Sequence, residues 1–366
     1  MYQIGDQITI EAAELVAGGA ALARVDGFPI FAANVFPGDV ARVRIVEAKK
    51  GFARAELVEI VTPSPLRRAQ PCPIADECGG CDWTALRLDA QLRAKERILR
   101  ESLRRIGKFS EMPDIAIHAS PLNYRLRSRL HSDGEAIGFY AMRSNRVVPL
   151  ARECEVVGVE TAKAFGNPSS GSQTGMSGPH SVWEIEGRLI TGGEMTIHGY
   201  VVSTDAFFQV NRHLLETMLR LVTERARGGN TAIDLYAGAG FFSVPLAKIF
   251  DSVIAVEGSP VSYEYAKRNV PENVQLVNAP VEMWRIPKAD MIFLDPPRSG
   301  AKRNVIDAIA QQAGERICFL ACDPVTFARD AARLTASGWR LATLDLIDLF
   351  PNTHHVETLA SFERAS

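Results

Sequence analysis

The stretch Ala232-Ile-Asp-Leu-Tyr-Ala-Gly-Ala-Gly240 decides the fold. It starts as an apolar run of strand type and breaks into two closely spaced glycines. Phe241-Phe242-Ser243 and helix-like sequence follow. A buried strand that feeds a sharp glycine turn and then a helix is the opening unit of a strand–helix–strand sheet. Working outward, the same alternation recurs. Residues 253–257, 274–279, 291–295, 317–321, 341–346 and 357–362 read as further strands, most of them separated by helical segments. Residues 206–366 are therefore expected to form an α/β domain with a doubly wound, Rossmann-like sheet.

The glycine turn suits a nucleoside ligand, because glycine lets the backbone bend and approach closely. The spacing is not G-x-G-x-x-G, since Phe241 and Phe242 follow Gly240. That disfavours a pyrophosphate cradle. Glu257 ends the next strand, where a carboxylate can accept hydrogen bonds from a ribose diol. A phosphate-free cofactor, S-adenosylmethionine, fits this pair better than NAD.

Three more elements stand at strand ends. Asp295-Pro-Pro-Arg-Ser-Gly300 closes the fourth strand, and its two prolines fix a rigid loop with Asp295 facing the crevice. Arg298 stands where amino-directed methyltransferases carry an aromatic residue, which argues against adenine N6 chemistry. Ala321-Cys-Asp-Pro324 closes the fifth strand. A cysteine there is placed to act as a nucleophile, and the helix beginning at Pro324 is expected to lower its pKa. Added to C6 of a uracil, such a thiolate makes C5 an enolate carbon able to attack a methyl sulfonium. Cys318, four residues earlier, reads as core. Glu357 follows Phe350-Pro-Asn-Thr-His-His-Val and is a candidate base for the C5 proton.

Upstream the pattern differs. Residues 1–61 hold five short apolar or alternating runs, at 7–10, 21–25, 29–32, 40–48 and 53–60, separated by glycine turns. They suggest a small barrel of the oligonucleotide-binding kind. Pro63, Pro65 and Pro71 mark a linker, and residues 62–205 form an irregular α+β middle with a Gly/Ser/Pro-rich loop at 166–179. Cys72, Cys78 and Cys81 cluster there with Cys154 downstream, a spacing that suits four thiolates on zinc or an iron–sulfur cluster. The net charge of −2 announces no nucleic-acid partner, but residues 93–129 hold ten Lys/Arg against four Asp/Glu. That segment is a candidate phosphate-binding surface or a solvated helix face. No apolar run is long enough to span a bilayer. The N-terminus carries Asp6, Glu11 and Glu14 rather than a basic patch, so the expected compartment is the cytoplasm.

Together these motifs resemble the RNA uracil-C5 methyltransferase family, over nearly the whole chain. The resemblance implies a class I methyltransferase domain preceded by an RNA-binding TRAM barrel and a central iron–sulfur domain. Cys72, Cys78, Cys81 and Cys154 match that family's 4Fe–4S ligands, which chooses the cluster over zinc. Asn123-Tyr-Arg125 and Gly138-Phe-Tyr140 match middle-domain signatures. Phe208-Gln-Val-Asn211 implies Gln209 as a contact to S-adenosylmethionine, alongside Tyr236, Glu257 and Asp295. Cys322 falls on the nucleophile and Glu357 on the base. The TRAM and cluster combination resembles the branch acting on 23S ribosomal RNA, with transfer RNA, or a catalytically weak RNA-binding homologue, as alternatives. A small-molecule methyltransferase is a further one, and a monomer is expected. Four positions depart from the family pattern: Ala321 replaces Ser, Asp323 replaces Asn, Ala237 replaces a common Cys and Phe241 a frequent Asn. Asp323 beside a thiolate would raise its pKa unless hydrogen bonds engage it.

Overall fold

The structure, a computed structural model, describes residues 2–166 and 178–365, so most of the 166–179 loop lies outside the described residues. No helix in it is long and apolar enough to cross a membrane.

The N-terminal strands alternate with period two. In Val40–Ala48, Ala41, Val43 and Ile45 are buried while Arg42 and Arg44 face water. The result is a six-stranded sheet. It contains the five expected strands and a short sixth, Glu14–Leu15. Asp39, fully buried, ties the barrel to the linker. Its carboxylate accepts from Phe36 N (2.6 Å), Ser64 N (2.8 Å) and the Arg67 guanidinium (2.7 Å).

The helix Leu88–Arg105 buries one stripe, including Ala90, Gln91, Lys95, Ile98, Leu99 and Leu103. This is the i, i+3/i+4 spacing of a helix lying on a core. Its outer face neutralises itself. Arg93 pairs with Asp89, Arg100 with Glu96, and Arg104 and Arg105 both with Glu101. Much of the positive charge counted at 93–129 is therefore a laced helix face rather than a bare phosphate-binding surface. Beyond it, a five-stranded antiparallel sheet is built on Arg127–Ser132 and Gly178–Ile185.

The C-terminal sheet has eight strands in the order Val274–Asn278, Phe250–Glu257, Gly229–Leu235, Ala289–Leu294, Ala313–Ala321, Glu357–Arg364, Trp339–Ile347 and Ile115–His118. All run parallel except Glu357–Arg364, which is antiparallel to both neighbours. Central strands read as continuous apolar runs because both faces are covered: Ile292, Phe293, Leu294, Ile317 and Phe319 are fully buried. Ile115–His118, from the segment assigned to the central domain, adds the edge strand. One continuous apolar core joins the barrel, the helix Leu88–Arg105 and one face of this sheet.

A buried ion pair pins the helix to the sheet's exit loop. Lys95 Nζ lies 2.5 Å from Asp348 Oδ1 and donates to Phe350 O at 3.0 Å. The side chains are 0% and 5% exposed. Burial holds the Lys95 pKa down although Asp348 opposes this. Lys95→Met would strand Asp348 without a partner and should cost about 3–5 kcal/mol in urea unfolding. Lys95→Met combined with Asp348→Leu should recover most of that loss. Additive losses in the double variant would contradict the pairing.

Candidate active site

Strand order reverses between Gly229–Leu235 and Ala289–Leu294, so a crevice opens beyond the carboxyl ends of these two strands. The glycine turn lies at its mouth. Tyr236 and Gly238 take left-handed conformations, with φ 64° and 58°. A Cβ built on Gly238 would meet nothing within 4 Å, so the backbone there faces open space. A left-handed tyrosine is strained by roughly 1–3 kcal/mol, and such strain gathers at ligand sites. Glu257 clamps the turn: Oε2 accepts from Gly238 N (2.8 Å) and Oε1 from Ser259 N (2.5 Å). Each carboxylate oxygen keeps a lone pair for a further donor. The Tyr236 hydroxyl donates to Glu282 Oε1 at 3.1 Å, a partner the sequence did not suggest.

The antiparallel strand explains the other half of the site. Because Glu357–Arg364 runs opposite to Ala313–Ala321, its first residues lie level with that strand's last ones, and Thr358 pairs with Ala321. Glu357 thus stands beside Cys322. Gln209 reaches the same edge, its Nε2 donating to Asp295 Oδ2 at 3.4 Å. Cys318 is fully buried within its strand.

Charge in this crevice is one-sided. Burial, reinforced by the charge of Asp234, pushes Asp295 up to about 7. Asp234 is itself pushed up to about 7 by burial, against a hydrogen bond from Ser243 Oγ at 2.5 Å. Burial and then Asp295 hold Glu357 well above the usual carboxylate range. Cys322 is pushed up to about 12 by burial, then by Glu357 and Asp295. Among the described residues, Arg298 is the side chain whose charge favours the ionised forms of both Cys322 and Glu357.

The thiol expected to be acidified is therefore held protonated. Asp323, the carboxylate expected to disturb the thiol, is engaged elsewhere: it N-caps the helix Pro324–Ala336, Oδ1 accepting from Val325 N (3.1 Å) and Thr326 N (2.7 Å). In the free protein, iodoacetamide modification of Cys322, followed by peptide mass spectrometry, should rise about tenfold per pH unit from pH 7 to 9. A plateau near pH 7 would show an acidic thiol instead.

Four further groups stand near the crevice, of which the sequence suggested only His355, as a loop-packing or RNA-contacting residue, and Arg298, as a mark against adenine N6 chemistry. Asp234 Oδ1 is buried and has no hydrogen-bond partner. Arg298 supplies the positive charge just described. His355, pushed down to about 4 by burial, packs edge-on against Phe350. Phe207, two residues before Gln209, is 61% exposed.

The cysteines 72, 78, 81 and 154 lie apart from this crevice. They are free thiols lining one mostly apolar cavity together with Phe139, Leu150, Val156 and Asn352. Among the described residues no group of three His, Cys, Asp or Glu side chains is arranged to hold a single metal ion. The charge of Arg125 acts on Cys78 and Cys81, and its buried Nε lacks a partner. A cationic multinuclear group that takes four thiolates fits that cavity better than one small ion, with Arg125 balancing part of the thiolate charge.

Comparison with known proteins agrees with this architecture. Residues 188–286 and 284–365 match the family model described as tRNA (Uracil-5-)-methyltransferase, and residues 5–58 match the TRAM domain. An uncharacterized RNA methyltransferase of Bdellovibrio bacteriovorus is 30% identical over 377 residues, covering 98% of this chain and 95% of the relative. The 23S rRNA (uracil(1939)-C(5))-methyltransferase of Vibrio parahaemolyticus is 28% identical over 413 residues, covering 95% and 94%. In fold the chain resembles the Pyrococcus abyssi tRNA (uracil-54, C5)-methyltransferase, solved with S-adenosyl-L-homocysteine. The TM-score is 0.72 at 21% identity, covering 97% of this chain and all of that one. A TRAM barrel, a class I methyltransferase sheet and a relative of this identity along almost the full chain place the protein in the RNA (uracil-C5)-methyltransferase family.

Proposed function

We propose that this protein methylates C5 of a uridine in ribosomal RNA, with S-adenosylmethionine as donor and Cys322 as covalent nucleophile. The observation that carries the reading is the grouping of a thiol, two carboxyls with raised pKa and one arginine at the switch-point edge. Such a pocket holds more ionisable acid than its single arginine can balance, and so favours a cationic ligand. Tyr236, Gly238 and Glu257 offer a nucleoside site, and Gln209 and Asp295 flank the path to Cys322.

When bound, the sulfonium supplies the methyl group and its positive charge favours the thiolate. Cys322 gives its proton to water, its Sγ bonds to C6 of the uracil and the C5–C6 π pair moves to C5, which takes the methyl group as the donor's carbon–sulfur bond breaks. Glu357, as carboxylate, takes the C5 proton. The released pair restores the C5–C6 double bond and expels Cys322 as thiolate. Arg298 steadies negative charge on both residues in turn. The uridine must leave its stack to reach the sulfur, so a loop or flipped base is the substrate. The enzyme would act in the cytoplasm, as a monomer.

We assign Cys72, Cys78, Cys81 and Cys154 to a 4Fe–4S cluster with a structural role, because no step above moves an electron. The shared cavity and the charge of Arg125 on Cys78 and Cys81 support it. The Vibrio relative's substrate and the TRAM barrel favour ribosomal RNA, while the Pyrococcus fold neighbour keeps transfer RNA as the second reading. Mapping 5-methyluridine in both RNAs from cells lacking the gene decides. Loss at one ribosomal position is expected. Loss only in transfer RNA selects the second reading, and unchanged levels everywhere overturn both.

A further inference from the structure

The loop that delivers His355 and Glu357 is held from the cysteine side. Asn352 is fully buried, sits at φ 66° and lines the cysteine cavity. Every polar group of that residue is engaged. Its N–H donates to Gln91 Oε1 (2.8 Å), and its carbonyl accepts from Asp82 N (3.2 Å) and Trp83 N (3.0 Å). Its Nδ2 donates to Glu155 Oε2 (3.0 Å), while its Oδ1 accepts from Arg68 Nη2 (3.0 Å) and Gln91 Nε2 (3.1 Å). Two residues on, Asp82 Oδ2 accepts from His354 N (3.0 Å) and lies 2.6 Å from His354 Nδ1.

The partners are not scattered. Asp82 follows Cys81 and Glu155 follows Cys154 in sequence. A change in where those two cysteines sit therefore moves Asp82 and Glu155, and with them the loop. Three residues beyond His354 the chain enters the strand at Glu357, whose neighbour Thr358 pairs with Ala321, the residue before Cys322. Five residues, 353 to 357, thus separate Asn352 from the strand pair that holds the thiol.

We propose that Asn352 and His354 are positioning residues through which the cysteine cavity sets the Cys322–Glu357 site, so that emptying the cavity loosens the loop and disarms the thiol. This rests on the cavity holding a cluster, and the methylation reading is independent of it. Buried hydrogen bonds to a strained backbone position are the kind of constraint that holds only while its surroundings over-determine it.

The test needs neither RNA nor methyl donor. Iron content and visible absorbance are measured on the full-length protein before and after chelator treatment. Hydrogen exchange over residues 350–357 and iodoacetamide modification of Cys322 are then followed in each state. Chelation is expected to speed exchange at 352–355 at least tenfold and to change Cys322 modification severalfold. His354→Ala and Asp82→Asn, whose side chains are only partly buried, should change Cys322 modification likewise while keeping the iron. Glu77→Ala, which loses the pairing with Arg146 near Cys78 but touches no part of the loop, should leave both readouts unchanged. Unaltered exchange after iron loss overturns the proposal, as does unaltered Cys322 modification in the iron-loaded His354→Ala protein. Protein isolated without iron overturns the cluster assignment and the switch with it.

Discussion

Cys322→Ala should abolish methylation, lowering the rate on the order of 10⁴-fold or more, as removal of a covalent nucleophile does. Uracil C5 is too weak a nucleophile to attack a methyl group until C6 carries an added sulfur, and among the described residues no other thiol reaches the crevice. Cys318 is sealed in the strand, fully buried and pushed up to about 12. The variant should fold, since Cys322 is only partly buried and loses one atom. The sharper readout is RNA carrying 5-fluorouridine. Fluorine replaces the proton that the base must remove, so elimination stops and the protein stays bonded to RNA through C6. Wild-type protein with donor should give a band stable to denaturing electrophoresis, and Cys322→Ala should give none. Methylation surviving in the variant would remove the covalent route. An adduct mapped to another residue would relocate it.

Much of the C-terminal sheet was legible because its strands are apolar runs whose ends carry chemistry. Each expected strand from 232 to 362 appears within a few residues, and the motifs at 234–240, 295–300 and 321–324 all stand at carboxyl ends. What stayed hidden depends on partners distant in sequence. Ile115–His118 is four residues long and gains its meaning only by pairing with Trp339–Ile347. The thiol was misjudged for the same reason. The helix start after Pro324 is local and visible. What outweighs it is burial, joined by the carboxyls of Glu357 and Asp295 from other strands. The basic segment was countable as charge, and its i,i+4 partners at 89/93, 96/100 and 101/105 were equally present in the sequence. Pairing, rather than count, decides how much charge a helix offers to a phosphate.

Glu357→Gln should separate the two halves of the reaction. Glutamine keeps the shape of the side chain but cannot accept a proton, so addition of Cys322 and methyl transfer should proceed while proton removal fails. General-base loss is worth about 10²–10⁴ in rate. A methylated, covalently bound RNA should therefore accumulate from natural uridine, where wild-type protein leaves none. The same substitution has a stability signature. Burial raises the Glu357 pKa, so above the ordinary glutamate range the folded protein binds a proton that the unfolded chain has released. Wild-type stability then falls as pH rises through that window, and the neutral amide removes this slope. Glu357→Gln should melt higher than wild type at pH 8 by a margin that shrinks toward pH 5. A variant that releases methylated product at the normal rate would show that another group takes the proton, Asp295 being the adjacent carboxyl. A variant that forms no adduct at all would place Glu357 earlier in the sequence, as the acceptor of the Cys322 proton.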